Sequence, residues 1–144
     1  MTEYHRATLS ELSAATLYSL VQLRSEVFVI EQDCVCLDPD GRDLEPSTVQ
    51  FWVEEDGRVL STLRLLDDGE VAHIGRVVTA ADARGRGLAG ELMRRAVAEG
   101  GRRDIVLDAQ AHLEQWYAGF GFARVTEVYD LDGIPHVTMR RPAA

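Results

Sequence analysis

The sequence contains no lysine and no asparagine, so all fifteen of its basic residues are arginine. We attribute this bias to codon usage. Acidic residues outnumber the arginines and give a formal net charge of -9. This charge argues against nucleic acid as the main partner, because a phosphate backbone needs clustered cations. It would attract a cationic ligand such as an amine, although it also favours solubility alone.

Cysteine is scarce, and Cys34 and Cys36 are the two in the chain. Two cysteines are too few for a disulfide framework or a structural zinc site. We therefore expect no metal and a reduced setting with small, partly buried thiols; a catalytic cysteine is the less favoured alternative. No apolar run is long enough to cross a bilayer, and residues 1–12 lack a signal-peptide pattern. These absences predict a cytoplasmic protein without a membrane partner.

The 144 residues, 46% of them apolar, predict a single domain over residues 1–144 with a packed core. Apolar patterns predict a helix, three antiparallel strands, a helix, a strand, a short helix and a final hairpin. These elements cover 14–29, 49–55, 58–66, 71–79, about 87–99, 104–109, LEQWYAGF, ARVTEVYDL and IPHVTMR. The strand-helix-strand unit in the middle predicts two neighbouring parallel strands.

Arg24 falls on the apolar face of the first predicted helix, where a cation needs a partner. Glu31 and Asp43 are the candidate partners. An ion pair within the fold is slightly favoured over direct contact between Arg24 and a ligand. The irregular segment 32–48 carries five carboxylates, which would form either an amine-binding wall or a solvated acidic loop.

A glycine-rich segment, Arg84-Gly85-Arg86-Gly87-Leu88-Ala89, directly precedes the second long helix. Glycines let the backbone approach an anion, and free amides at a helix start favour negative charge. Two arginines in the segment add charge suited to phosphate. The segment therefore predicts a pyrophosphate site, with a solvated tight turn as the alternative.

The run GRGLAG, residues 85–90, also matches the dinucleotide fingerprint G-x-G-x-x-G. Polar residues separate it from the preceding strand, that strand belongs to a meander, and too little chain follows for a doubly wound sheet. A P-loop is excluded because no Lys-Ser or Lys-Thr follows the glycines. The anion-binding interpretation needs neither motif.

The same segment resembles the R/Q-x-x-G-x-G/A signature of the GNAT N-acetyltransferase superfamily. Four further blocks are similar to its ElaA-like branch, and in order they are LYSLVQLRSEVFVIEQDC, DGRDLEP, AQAHLEQWYAGFGF and DGIPHVTM. The resemblance covers essentially the whole chain. It implies an α+β fold with a mixed, mostly antiparallel sheet that contains a splayed parallel strand pair and is flanked by helices.

The resemblance also implies that the phosphates belong to acetyl-coenzyme A, the cosubstrate. This molecule would lie where strands 71–79 and 104–110 splay apart. Its pantetheine arm would pair with main chain near Arg76–Thr79, and a backbone amide near Val77 or Val78 would hold the oxyanion. No metal is implied.

The resemblance implies roles for two residues further along the chain. Tyr117 matches the family tyrosine that protonates the departing thiolate, for which a phenol neutral at pH 7 is suited. The alternative is an aromatic of the short helix without a chemical role. Gln110 falls where many relatives carry an Asn that contacts the cofactor. His73, by contrast, is expected to be an ordinary strand residue.

The attacking amine must lose a proton, and no single base is dictated by the sequence. Glu31 and Asp43 come from segments that should line the acceptor side. His112 and His136 are alternatives, because imidazole titrates near neutrality. We expect Arg24, Glu31, Asp43 and His136 to contact the acceptor.

Together these features predict an N-acetyltransferase that moves an acetyl group from acetyl-CoA to a primary amine, small or peptidyl, by direct attack. A non-catalytic acyl-CoA-binding or sensing module is the alternative from another class. A nicotinamide oxidoreductase is supported by GRGLAG alone. The identity of the amine, the acyl-chain preference and the oligomeric state, with a homodimer among the options, stay open.

Overall fold

A computed structural model describes residues 1–144, which form eight strands and three α-helices. The strands are β1 (Thr2–Thr8), β2 (Val49–Glu55), β3 (Arg58–Asp67), β4 (Val71–Thr79), β5 (Asp104–Gln110), β6 (Ala123–Arg124), β7 (Tyr129–Leu131) and β8 (Ile134–Arg141). The helices are α1 (Ala14–Arg24), which continues as a π-helical segment (Ser25–Glu31), α2 (Leu88–Gly100) and α3 (Glu114–Ala118).

All eight strands belong to one sheet with the order β1-β2-β3-β4-β5-β8-β6, and β7 pairs with β8 beside this path. β4 and β5 are parallel, whereas the other neighbouring strands are antiparallel. This confirms the predicted fold class and the predicted parallel pair. None of the helices combines the length and the apolar character that crossing a bilayer requires.

Helices cover both faces of the sheet at β3, where the eight consecutive residues from Val59 to Leu66 are buried. Successive strand residues point to opposite faces. Leu65 lies against Gly100 of α2, where a Cβ atom would come within 3.2 Å of a leucine methyl group. Its neighbour Arg64 points to the other face and lies 3.2 Å from Asp43, which pairs with α1. The central strand is therefore the middle layer between α1 and α2.

The first predicted helix begins where the sequence indicates. Ser13 is its N-cap, and the Ser13 hydroxyl accepts a hydrogen bond of 3.0 Å from the Thr16 amide. The end differs from the prediction: the helix is α-helical through Arg24 and then widens into the π-helical segment through Glu31. The wider turn brings Phe28 to the wall of the cleft described below.

One strand, β1, has no counterpart among the predicted elements. It lies at the sheet edge and pairs antiparallel with β2 along its whole length. Its side chains are mostly polar and are exposed or half-buried, except for Ala7, its one buried residue. An edge strand of this kind is held by backbone hydrogen bonds and shows no apolar alternation, which is why periodicity misses it.

Candidate active site

A cleft opens where β4 and β5 stop pairing. The two strands pair only from Val71–Asp104 to His73–Val106, and their later residues diverge. The cleft has a volume of about 190 Å³ and is lined by β4, β5, α3, the β7–β8 hairpin and the segment that follows α1. This is the place that the family resemblance implied for the cofactor and the reaction.

A β-bulge shapes the β4 side of the cleft. Opposite β3, the pairing shifts so that Arg76 and Val77 together face the single residue Leu63. Arg76 has a φ angle of 53°, which is left-handed and uncommon for a residue other than glycine. A β-bulge interrupts the ladder of backbone hydrogen bonds between two strands and changes the direction in which the local groups point. Arg76 and Val77 line the cleft, whereas Val78 is buried and pairs with Thr62.

The predicted phosphate loop has the backbone that its sequence indicates. Gly85 and Gly87 have φ angles of 78° and 76°, and nothing lies within 4 Å of the position of a Cβ atom at either. Gly87 is the N-cap of α2, and no side chain caps the helix. The first amides of α2 therefore have no intrahelical partner and no capping side chain, a geometry that suits an anion.

Both arginines of the loop are engaged in ion pairs. Arg84 donates two hydrogen bonds to Glu31, of 2.6 and 2.7 Å, and Arg86 pairs with Glu55. The hydrogen bonds from Arg84 lower the pKa of Glu31. Glu31 thus lies beside the phosphate loop and outside the cleft lining, as a paired carboxylate. This position does not fit the base or the acceptor contact expected of Glu31.

Arg24 and Asp43 form a buried ion pair. Nη1 and Nη2 of Arg24 donate to the two Asp43 oxygens at 2.8 and 3.0 Å, and Nε of Arg24 donates to Asp38 at 2.9 Å. Gln50 adds a further hydrogen bond to Asp43. Burial alone would raise the pKa of Asp43, but the hydrogen bonds from Arg24 and Gln50 and the charges of Arg24 and Arg64 together lower it. The partner of Arg24 is therefore Asp43 rather than Glu31.

Neither residue of this pair fits the role in the acceptor site that the sequence suggested. Arg24 is 1% exposed and Asp43 is 6% exposed, and neither lines the cleft. Every polar contact of their side chains is made within the fold. We therefore assign Arg24 and Asp43 a structural role in place of the expected substrate contact and catalytic base.

Further arginines neutralise the acidic segment after α1. Arg64 donates to both oxygens of Asp40, and Arg76 donates to the Asp38 carbonyl at 2.9 Å. Hydrogen bonds from Arg64 hold the pKa of Asp40 well below its usual range, and burial lowers the pKa of Arg76. The expected amine-binding wall is therefore a network of ion pairs that ties the acidic segment to the bulge of β4.

Tyr117 projects from α3 into the cleft. The side chain is 6% exposed, and burial is the one influence on its hydroxyl, which makes no hydrogen bond within the protein. Burial raises the pKa of Tyr117, so the phenol keeps its proton at neutral pH. This is the state that a proton donor to a leaving group requires.

His136 lies on the floor of the same cleft, directly opposite Gln110 in the β5–β8 pair. Its Nδ1 atom is 2.7 Å from the carbonyl oxygen of Ile134. A carbonyl only accepts, so Nδ1 carries hydrogen and Nε2 of the neutral ring has a free lone pair. Gln110 donates to Gln32 at 3.0 Å. His112, in contrast, is exposed and outside the cleft lining.

Sequence reasoning missed a polar cluster on the cleft floor. Tyr129 and Thr138 donate to Oδ1 of Asp108 at 2.8 and 2.9 Å, and Nε2 of His73 lies 3.3 Å from Oδ2. Asp108 and His73 both line the cleft. The sequence held one indication of this cluster, because Asp108 stands between the apolar residues Leu107 and Ala109. Side chains alternate along a strand, so Asp108 points to the face opposite to that of its two neighbours.

The two cysteines differ from expectation. Cys34 and Cys36 are joined by a disulfide, with their Cα atoms 5.4 Å apart, whereas we expected reduced thiols. The turn after the π-helical segment brings these near neighbours into disulfide range, which spacing in the sequence does not reveal. Cys34 is buried, Cys36 is partly buried, and both line the cleft.

The sequence matches a known family over most of its length. Residues 39–142 match the model of an acetyltransferase (GNAT) domain. The chain belongs to the GNAT acetyltransferase family. A UPF0039 protein of Mycobacterium tuberculosis is 47% identical to it over 150 positions, covering 100% of this chain and 96% of the relative. Protein ElaA of Escherichia coli is 39% identical, covering 98% and 97%.

Solved structures of GNAT proteins agree with this assignment. An acyl-CoA N-acyltransferase from Pseudomonas aeruginosa is 42% identical and matches with a TM-score of 0.92, covering 98% of this chain and 99% of that one. Escherichia coli ElaA matches with a TM-score of 0.90 at 38% identity, with the same coverage. The predicted superfamily and ElaA-like branch are confirmed. GNAT proteins in general transfer acyl groups from acyl-CoA to amine acceptors, and this chain has their fold.

Proposed function

We propose that this protein transfers an acetyl group from acetyl-CoA to a primary amine, on a small molecule or a peptide, by direct attack. The observation that carries the proposal is the unpartnered Tyr117 hydroxyl in a cleft that the bulge of β4 also lines. The phenol of Tyr117 and the main chain of the bulge would then both face the thioester of the bound cosubstrate. The predicted cytoplasmic location stays an expectation.

The phosphate loop is suited to hold the pyrophosphate of coenzyme A. The start of α2 offers unpaired amides at Leu88 and Ala89, and Gly85 and Gly87 leave room for close approach. Arg84 and Arg86 would exchange their carboxylate partners for phosphate oxygens, which guanidinium groups also bind bidentately. No metal ligand is needed for this binding mode.

The bulge is suited to hold the acyl end of the cosubstrate. Main chain at Arg76 and Val77 would pair with the pantetheine arm in place of the missing β5 partner. An amide at Val77 or Val78 would donate to the carbonyl oxygen as negative charge develops there. A preorganised donor of this kind contributes roughly 3–4 kcal/mol to catalysis.

Tyr117 and His136 would move the two protons. His136 accepts a proton at Nε2 from the amine as the nitrogen forms a bond to the thioester carbon. The carbon–sulfur bond then breaks, and Tyr117 donates its phenolic proton to the thiolate. His136 replaces Glu31 and Asp43 in this assignment, because it lines the cleft with a free lone pair and they do not.

A thermal-shift titration with coenzyme A, acetyl-CoA and NADH tests the cofactor assignment. A ligand at a hundred times its dissociation constant adds about 2.7 kcal/mol to stability. We expect stabilisation by both coenzyme A species and none by NADH. A shift with NADH alone would contradict the proposal.

The competing function is an acyl-CoA sensor that binds the cofactor without turnover. Release of free thiol from acetyl-CoA in the presence of a panel of primary amines separates the two functions. An enzyme releases one thiol for each amine acetylated. Tight binding of acetyl-CoA with no thiol release from any amine would favour the sensor.

A further inference from the structure

Asp108 is a carboxylate of the cleft that no arginine neutralises. Three aspartates line the cleft: Asp38, Asp108 and Asp132. Asp38 pairs with Arg24 and lies 3.0 Å from Arg76. The one basic side chain within ion-pair distance of Asp108 is that of His73. In a chain with fifteen arginines, the cleft floor thus keeps a carboxylate whose side-chain partners are a histidine, a tyrosine and a threonine.

His73 holds the carboxylate through one ring nitrogen. A carboxylate only accepts, so Nε2 of His73 carries the hydrogen that points to Asp108. The other ring nitrogen, Nδ1, is buried and has no hydrogen-bond partner. His73 therefore orients Asp108 as a donor, and no guanidinium competes with a ligand for this carboxylate.

The three donors also fix the carboxylate in place. Hydrogen bonds from His73, Tyr129 and Thr138 hold the pKa of Asp108 well below its usual range, against the effect of burial. The side chain nevertheless keeps 39% of its surface exposed toward solvent. Asp108 is thus an ionised, oriented and accessible acceptor.

Asp108 and His136, the proposed base, belong to neighbouring rows of side chains, where a row is one pair of residues that face each other across β5 and β8. On β5 it precedes Gln110 by two residues, so both side chains point to the same face. In the β5–β8 pair, Thr138 stands opposite Asp108 and His136 stands opposite Gln110. Two residues of a strand span about 6.7 Å. The rings of Tyr129 and His136, with centroids 6.2 Å apart, connect the two rows.

Apolar side chains also line the cleft. Leu37, Leu131 and Ile134 are among its lining residues, and Leu37 is 80% exposed. Contact with such side chains favours the methylene groups of a ligand, because it removes them from water. The cleft therefore offers a proton acceptor, apolar surface and a fixed negative charge.

We propose that Asp108 binds a second cationic group of the acceptor amine, so that the preferred substrates are diamines. This inference rests on the proposed function. While His136 receives the proton of one amino group, Asp108 holds the other as an ammonium ion about 7 Å away. A chain of about four or five methylene groups, with bonds of roughly 1.5 Å, spans this distance.

The test compares unbranched α,ω-diamines of increasing length with n-alkylamines of matched length. We expect kcat/KM for diamines to exceed that for monoamines by about tenfold or more, with an optimum at four or five methylene groups. Asp108→Asn keeps the shape and removes the charge, so the diamine-to-monoamine ratio should fall by at least about tenfold. Asp56→Asn, at the β2–β3 turn, is the matched control and should keep the ratio.

Calorimetric titration of the coenzyme A complex with the same amines tests the inference without turnover. The inference is supported if diamines bind more tightly than monoamines and Asp108→Asn abolishes this difference. Equal affinity for both series, or a diamine preference that persists in Asp108→Asn, overturns it and leaves the acetyltransferase proposal intact. Absence of binding by coenzyme A itself overturns the acetyltransferase proposal and this inference with it.

Discussion

Nδ1 of His136 lies 2.7 Å from the carbonyl oxygen of Ile134, which leaves Nε2 as the free nitrogen of the ring on the cleft floor. A His136→Gln substitution should lower kcat for amine acetylation by about 10²-fold or more, because general base catalysis contributes 10²–10⁴-fold. His112→Gln, which changes an exposed histidine outside the cleft, is the control. Equal loss in both variants would contradict the assignment of His136 as base.

Tyr117→Phe should separate chemistry from binding. We expect kcat to fall by about 10²-fold, since the leaving thiolate loses its proton donor, while the dissociation constant of coenzyme A changes little. Calorimetry and a thiol-release assay measure the two quantities. Tyr18→Phe on the exposed face of α1 serves as the control. Unchanged turnover in Tyr117→Phe would remove this phenol from the mechanism.

Glu31→Gln should strengthen cofactor binding. The substitution frees Arg84 from its carboxylate, so phosphate no longer competes with Glu31 for the guanidinium. An exposed ion pair is worth little, and we expect the dissociation constant of coenzyme A to fall by about two- to fivefold. Turnover should persist, which it would not do if Glu31 were the base. Glu45→Gln, which affects the pair with Arg42, is the control.

The buried network around Arg24 should dominate stability. Arg24→Met leaves Asp38 and Asp43 buried with one partner fewer, and this should cost about 3–5 kcal/mol in the free energy of unfolding. Urea denaturation measures the loss. Arg58→Met removes an exposed pair and should change stability little. A similar cost in both variants would mean that the network is not the source of the stability.

The same network predicts the direction of acid sensitivity. The pKa values of Asp40 and Asp43 are lower in the folded state, owing to Arg64 and Arg24 respectively. The unfolded chain therefore binds more protons as the pH drops below about 4, where free aspartate titrates. Stability from these groups should be complete above about pH 5 and fall progressively below it. Asp40→Asn should flatten this dependence in denaturation curves measured from pH 6 to 3.

Local patterns in the sequence predicted most of the fold. Strand-like apolar patterns and turn dipeptides predicted strands over 49–55 and 71–79, and β2 and β4 have these bounds. The bounds were predictable because turn residues border both strands in the sequence. The glycine loop before α2 was predicted from backbone chemistry, and Gly85 and Gly87 in it have positive φ angles. The family resemblance added the splay between β4 and β5 and the placement of Tyr117 in the cleft.

The chemistry of the site was harder to predict, because it depends on contacts between distant segments. Whether Asp43 faces a substrate or Arg24 depends on how the acidic segment packs under α1. Asp108 meets Thr138 only through the register of β5 with β8, which no local pattern determines. The sequence therefore indicated which residues carry charge but not which charges cancel.

In the proposed function, the Glu31–Arg84 ion pair would make cofactor binding an exchange of anions. One guanidinium cannot hold a carboxylate and a phosphate bidentately at once, so a coenzyme A phosphate that takes Arg84 would release Glu31 from it. Glu31 ends the π-helical segment, and the side chain of the next residue, Gln32, accepts a hydrogen bond from Gln110 at the cleft. A change at the phosphate loop would then reach the acceptor side through two consecutive residues, which would give the two substrates a physical reason to bind in order.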